Sequence, residues 1–157
     1  PPSPTLPGCS GPALTEEAQR ETLVYAVLAW AFDPANDMSD RELVDKPNTF
    51  AMITVNGTAV EPQTLPPRTP RLRFTTKPKL QAFVDGNPKT MAEGATYLRV
   101  SIAHASNALT ATVSIGPEIQ LPTKPKGFLQ CCCTTALVFE RTCKGWKMSE
   151  QRDTLCS

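Results

Sequence analysis

The sequence predicts an α+β domain: one N-terminal helix packed on a curved antiparallel sheet of five to seven strands, with disulfides tying down the C-terminal strands. Three observations predict it. An apolar run, Leu23 to Phe32 (LVYAVLAWAF), follows a helix-start signal near the N-terminus. From Ala51 onward the apolar residues recur with a period near two, the period of strands. Five of the six cysteines crowd into Cys131 to Cys156, and the sixth, Cys9, lies near the other end. A β-sandwich with a peripheral helix is the alternative. A peripheral helix keeps a polar face, however, and Leu23 to Phe32 has none.

At 157 residues the chain has the length of one domain with a real core. Residues 1–12 read as an extended proline-rich tail and residues 13–157 as the domain. The 16 prolines cluster at Pro1 to Pro12, Pro62 to Pro70 and Pro117 to Pro125, which marks tails and connections because proline fixes φ and lacks an N–H.

The helix is expected over Ala13 to Phe32. Thr15 is its N-cap, Glu16 and Glu17 sit at its positive end, and Asp33-Pro34 ends it. Its second half is apolar on every side and calls for cover on every side. Ser39-Asp40-Arg41-Glu42 has the form of a capping box and predicts a short helix over Asp40 to Asp45. Asp33, Asp37, Asp40 and Asp45 lack the glycine and glutamate of a calcium loop, so they read as capping and turn residues.

Ala51 to Val60 (AMITVNGTAV) predicts a hairpin about a type I′ Asn56-Gly57 turn, with Val55 opposite Thr58 and Ile53 opposite Val60. Leu72 to Thr75 and Leu80 to Val84 read as short strands interrupted by Lys77-Pro78-Lys79, one of them at an edge, with Asp85 to Pro88 a turn. Tyr97 to Ile115 predicts a second hairpin about Ser106-Asn107. Its register sets Ile102 against Ala111, Val100 against Val113 and Leu98 against Ile115. Gly116 to Gly127 reads as a loop or irregular edge. Phe128 to Phe139 and Thr142 to Met148 read as the last strands, joined near Lys144-Gly145.

Six cysteines suggest three bridges in an oxidising compartment. A zinc site lacks its C-x2-C pairs, and His104 is the only histidine. Cys131, Cys132 and Cys133 alternate between two faces of a strand, so one cluster cannot use all three without a bulge. The expected pattern joins Cys9 to one of Cys131–Cys133 and another of them to Cys143 or Cys156. A bridge between two neighbours of the triplet is the alternative.

Asn56-Gly57-Thr58 is an N-glycosylation acceptor on an exposed tip. The chain starts at Pro1 without Met, which reads as a removed leader or an excised ectodomain with any anchor outside it. The longest apolar run spans ten residues, about half a membrane crossing.

Charge is balanced, 16 Lys+Arg against 15 Asp+Glu, so no overall field draws nucleic acid or anionic lipid. Locally, Arg68, Arg71, Arg73, Lys77 and Lys79 form a basic strip without an acid between them. The strip is a candidate surface for a glycan or an acidic partner; as edge-strand charges it equally guards against sheet-to-sheet pairing. A Ser–His pair of His104 with Ser101 or Ser106 lacks a G-x-S-x-G elbow and a nearby acid. No cofactor motif is present.

The leading functional expectation is a secreted or surface-displayed interaction module, such as a surface antigen or a receptor- or host-binding ectodomain, that binds a protein or glycan and does not catalyse. The alternatives are an extracellular enzyme inhibitor presenting Thr64 to Pro70 or Leu121 to Pro125, and a small hydrolase built on His104. A helix gripped by a sheet is similar in shape to cystatin-like architecture, and a cysteine-closed C-terminal loop to bacterial pilins. The chain has neither a Q-x-V-x-G loop nor a long membrane-type spine, and shape alone does not license function.

Overall fold

A computed structural model describes residue 6 and residues 8–12, 14–124 and 131–156. Residues 1–5, 7, 13, 125–130 and 157 lie outside it, and with them parts of the expected tail, the first expected helix residue and the Phe128 to Gln130 strand start. The architecture is α+β with a mixed sheet. In chain order, the described elements are α1 (Glu16–Ala31), a 3-10 turn (Arg41–Leu43), β1 (Thr49–Val55), β2 (Thr58–Val60), β3 (Leu72–Phe74), α2 (Lys77–Gly86), α3 (Pro88–Glu93), β4 (Ala95–His104), β5 (Thr110–Gln120), β6 (Cys133–Thr142), β7 (Gly145–Gln151) and β8 (Leu155–Cys156).

The sheet runs β2-β1-β4-β5-β6-β7. β4 takes one edge of β1, so β3 and β2 share the other, pairing with Thr49–Ala51 and Ile53–Val55 in turn. β6 repeats the arrangement, with β5 on one edge and β7 and β8 on the other.

Two expectations about the sheet are corrected together. Among the described residues it has eight strands rather than five to seven, and it is not purely antiparallel: β1 runs parallel to both β3 and β4. The cause lies at Leu80 to Val84, which is helical α2 and not a strand. Parallel neighbours require a long crossover, usually helical, and α2 with α3 lies on the connection from β1 to β4. Leu80 and Val84 are both fully buried, and a spacing of four fits a strand and a helix alike. Pro78 stands in the first turn of α2, where a missing N–H is harmless.

α1 begins as expected, with Ala18 N donating to Thr15 Oγ1 at 3.1 Å. Its residues Leu23, Val27 and Leu28 share a core cluster with the inner rows of the strands, among them Ile53, Val100, Val113 and Phe139. Cover is not complete on every side, since Tyr25 is 38% exposed. On the opposite face of the sheet, Leu80 and Val84 of α2 pack with Ala95 and Tyr97.

The end of α1 depends on a residue the sequence assigned to a capping box. Arg41 Nη1 donates to the carbonyls of Ala31 (3.4 Å), Asp33 (2.8 Å) and Asn36 (3.1 Å), a cation placed on the negative end of the helix. No helix forms over Asp40 to Asp45, only the 3-10 turn. Asp40 takes a left-handed φ of 56° and makes no cap; its Oδ2 instead accepts from Cys133 N at 2.8 Å. Replacing Arg41 by Met is expected to lower unfolding free energy by about 1–2 kcal/mol in urea titrations, because three carbonyls lose a charged donor.

The Asn56-Gly57 hairpin has the expected register, with φ of 50° and 83° at its tip. The β4–β5 hairpin keeps its faces but shifts by two, pairing Ile102 with Val113 and Val100 with Ile115. A longer loop explains the shift: Ala105 N donates to Thr110 O, and Ala108 carries a φ of 57°. Gly116 onward is strand, not loop, as far as Gln120. β6 stops pairing with β5 at Ile115, so Pro117 lies where β5 has β4 as its paired neighbour. Gly116 is required there, because a Cβ would lie 2.6 Å from Cys133 O.

After β5, Asp85 of α2 holds Thr123, accepting from its N–H at 2.8 Å and from its hydroxyl. The Thr123 hydroxyl, more than any other cause, holds the Asp85 carboxyl below its ordinary pKa.

Candidate binding site

A cavity of about 410 Å³ opens where the first turns of α1 meet the tip of the β1–β2 hairpin. Glu16, Gln19 and Arg20 come from α1, Asn56 from the hairpin, His104 from the end of β4 and Trp146 from the start of β7. Strand alternation explains His104: it shares the inner face with Val100 and Ile102. Helix periodicity explains Gln19, which stands one turn before Leu23 and two before Val27 on the buried stripe and is only 7% exposed.

Polar chemistry gathers here without satisfaction. Gln19 Oε1, His104 Nδ1 and Trp146 Nε1 are each buried with no hydrogen-bond partner among the described residues. Such groups cost free energy unless water or a ligand engages them. The His104 and Trp146 rings meet edge to face, centroids 5.6 Å apart. The wall is sewn together by the backbone: His104 N donates to Asn56 Oδ1 at 3.0 Å, and Asn56 N to Ile102 O at 2.8 Å.

Burial pushes the His104 pKa below its ordinary value. The neutral ring is therefore favoured in the folded chain, and it offers one donor and one acceptor. As pH falls from the ordinary histidine value through the lowered one, the unfolded chain takes up the proton first, so stability declines across that window and is flat on either side of it. In a Trp30→Phe background, Trp146 emission is expected to follow the same protonation. His104→Phe is expected to abolish both the emission step and the slope of stability with pH.

Neither expected Ser–His pair is hydrogen-bonded among the described residues. Ser101 lies on the outer face of β4, beside Arg99, and His104 on the inner. Ser106 stands in the exposed β4–β5 loop and makes no hydrogen bond to His104 among the described residues. Nor do the described residues contain a group of three or more His, Cys, Asp or Glu that could hold a metal.

Three cysteine pairs lie at disulfide distance: Cys9–Cys143, Cys131–Cys132 and Cys133–Cys156. Cys9 therefore reaches the β6–β7 turn and not the Cys131–Cys133 triplet, because the segment before α1 runs alongside that turn. The neighbour bridge within the triplet, weighed as the alternative, is present. The last pair joins β6 to β8 in register.

The basic strip is divided. Arg68 pairs with Asp33 at 3.2 Å, both well exposed, a contact of small energetic weight. Arg73 lies over the Phe50 ring at 4.5 Å on the outer face. Lys77 and Lys79 are exposed at the start of α2, and Arg71 is exposed just before β3. The two proline loops lie against the body: Pro62, Pro66 and Pro122 are buried, and Leu65 packs on the core. Pro125 lies outside the described residues.

Comparison with known proteins adds no relative. No protein-family model, curated protein or solved structure matches the chain. Gln19, Arg20 and Trp146 were not singled out from the sequence as site residues. The one available signal was a glutamine on the apolar stripe of a buried helix.

Proposed function

We propose that this chain is a secreted or surface-displayed binding module that takes its ligand in the cavity at the start of α1. The observation carrying the reading is one cavity of about 410 Å³ lined by Gln19, His104 and Trp146, each of which carries a buried polar atom with no hydrogen-bond partner among the described residues. That volume suits a small polar ligand or the terminal group of a larger glycan or peptide. Its apolar wall comes from Val55 and Val60, and its rim carries both charge signs in Glu16 and Arg20.

Three cysteine pairs support an oxidising compartment, and no helix among the described residues is long and apolar enough to cross a membrane. Asn56 is exposed at the hairpin tip and its side chain is engaged only through Oδ1, which leaves Nδ2 for a glycan at the rim of the cavity. In this reading α1 is the rigid wall and the sheet wraps the other side of the site. The module binds and releases; it does not catalyse.

The test is a glycan and peptide array probed with wild type and with a Gln19→Leu, His104→Phe double variant. Binding to a defined structural class that drops at least tenfold in the variant, with melting temperature kept, supports the reading. Binding that is unaffected by the variant but lost on replacing Arg71 and Arg73 moves the contact to the basic strip and overturns the cavity.

A further inference from the structure

The cysteine triplet has a place in the structure that the proposed ligand site does not use. The Cys131–Cys132 bridge and the Cys156 end of the Cys133–Cys156 bridge line one open cavity of about 370 Å³. Pro117, Ile119, Leu121 and Leu155 give it an apolar wall, and Leu155 is 70% exposed. Cys131 and Cys132 are both partly exposed. They precede β6 and take no part in its pairing with β5 or β8. Cys133, where the strand begins, is held separately, by Asp40 through its N–H and by Cys156 through its sulfur.

The three bridges restrain very different lengths of chain. Cys9–Cys143 spans 134 residues and Cys133–Cys156 spans 23, whereas Cys131 and Cys132 are neighbours. Closing a loop is the main way a bridge restrains the unfolded chain. The effect is reciprocal: a bridge that stabilises the fold is protected by the fold against reduction. The two long bridges have that protection. The third encloses no residue between its ends, so the fold does not resist its opening. Exposed bridges of this kind are the labile ones.

Charge decides which side of an exchange the pair takes. A nucleophilic cysteine needs a cation or a helix N-terminus to hold its thiolate. Among the described residues, the lining of this cavity has no Lys, Arg or His, and its one carboxylate, Glu118, already accepts from Tyr97 and Arg99. The pair is therefore suited to being attacked by an outside thiolate rather than to attacking.

We propose that Cys131–Cys132 is a thiol-exchange site that takes two electrons from a dithiol entering this cavity, with the other two bridges left closed. One thiolate of the dithiol attacks a sulfur of the bridge. The bond between the two cysteines breaks, a mixed disulfide forms, and the departing cysteine takes up a proton. The second thiol of the dithiol, as its thiolate, attacks the mixed disulfide and releases the other cysteine, which is protonated in turn. The dithiol ends oxidised to a disulfide, and Cys131 and Cys132 end as two adjacent thiols. The site is independent of what the cavity at α1 binds.

The experiment treats the intact oxidised protein with dithiothreitol at neutral pH without denaturant, quenches with an alkylating reagent at intervals and maps the labelled cysteines. Cys131 and Cys132 are expected to be labelled together, roughly tenfold or more faster than any other cysteine. The protein reduced at that bridge alone is expected to keep its melting temperature within about 1 °C and to bind phenylarsine oxide, a reagent for paired thiols. Leu155→Glu places a negative charge on the exposed lining. It is expected to slow labelling of Cys131 and Cys132, because it repels the incoming thiolate, and to leave Cys9 and Cys143 at their wild-type rate. Three results each overturn the proposal: reduction of either long bridge first or at the same rate, labelling of Cys131 and Cys132 before any dithiol is added, or Leu155→Glu reacting as fast as wild type.

Discussion

Replacing Cys9 and Cys143 together by serine is expected to lower the unfolding free energy by about 4–5 kcal/mol in the chain-entropy account. The bridge spans 134 residues, so opening it releases most of the denatured chain from a single large ring. Replacing Cys133 and Cys156, which span 23 residues, is expected to cost about 3–3.5 kcal/mol by the same relation. The order of the two effects is the sharper test, because native-state contributions shift both values. Urea titrations of the two double variants measure it. A smaller loss for the Cys9–Cys143 pair would mean that the segment before α1 is not held against the β6–β7 turn.

Phe139→Ala is expected to cost about 3–5 kcal/mol. Phe139 is 1% exposed and is among the largest fully buried side chains. It pairs across the sheet with Ala111 on one side and Met148 on the other, next to a register shift between Val138 and Phe139. A large side chain beside a small one leaves little that can collapse into the vacated space. Phe139→Leu is expected to cost clearly less than Phe139→Ala. Equal losses in the two variants would show that the site relaxes freely and that the β6 face is not tightly packed.

Where local chemistry decides, the sequence was readable. Thr15 caps α1 because a hydroxyl one turn before a buried stripe has one obvious partner. Asn56-Gly57 fixes its hairpin register because few other pairs accept two positive φ values. Where a pattern admits two periods, reading failed. Leu80 and Val84 are four apart, and only the partly buried Phe83 beside them favours the helix. From that one ambiguity came the wrong strand direction, since a helix on the connection permits the parallel β1–β4 pair. Ala108 with a positive φ gave no warning of the longer β4–β5 loop. Gly116 read as a breaker, but it marks the close approach of β6 to β5.

The candidate site was legible only in part. His104 stood out as the single histidine on an inward strand position, and its surroundings did not. Gln19, Trp146 and Arg20 lie on elements far apart in sequence, and only the packing of α1 near β7 brings them together. Arg41 shows the same limit: its place in the sequence is a capping box, and its role comes from the carbonyls of Ala31, Asp33 and Asn36.

The most direct test of the binding-site account is crystallographic fragment screening of the oxidised protein. The expected result is that polar fragments cluster in the cavity between α1 and the Asn56 hairpin, in contact with Gln19, His104 and Trp146. Fragments that bind elsewhere while that cavity holds only ordered water would contradict it.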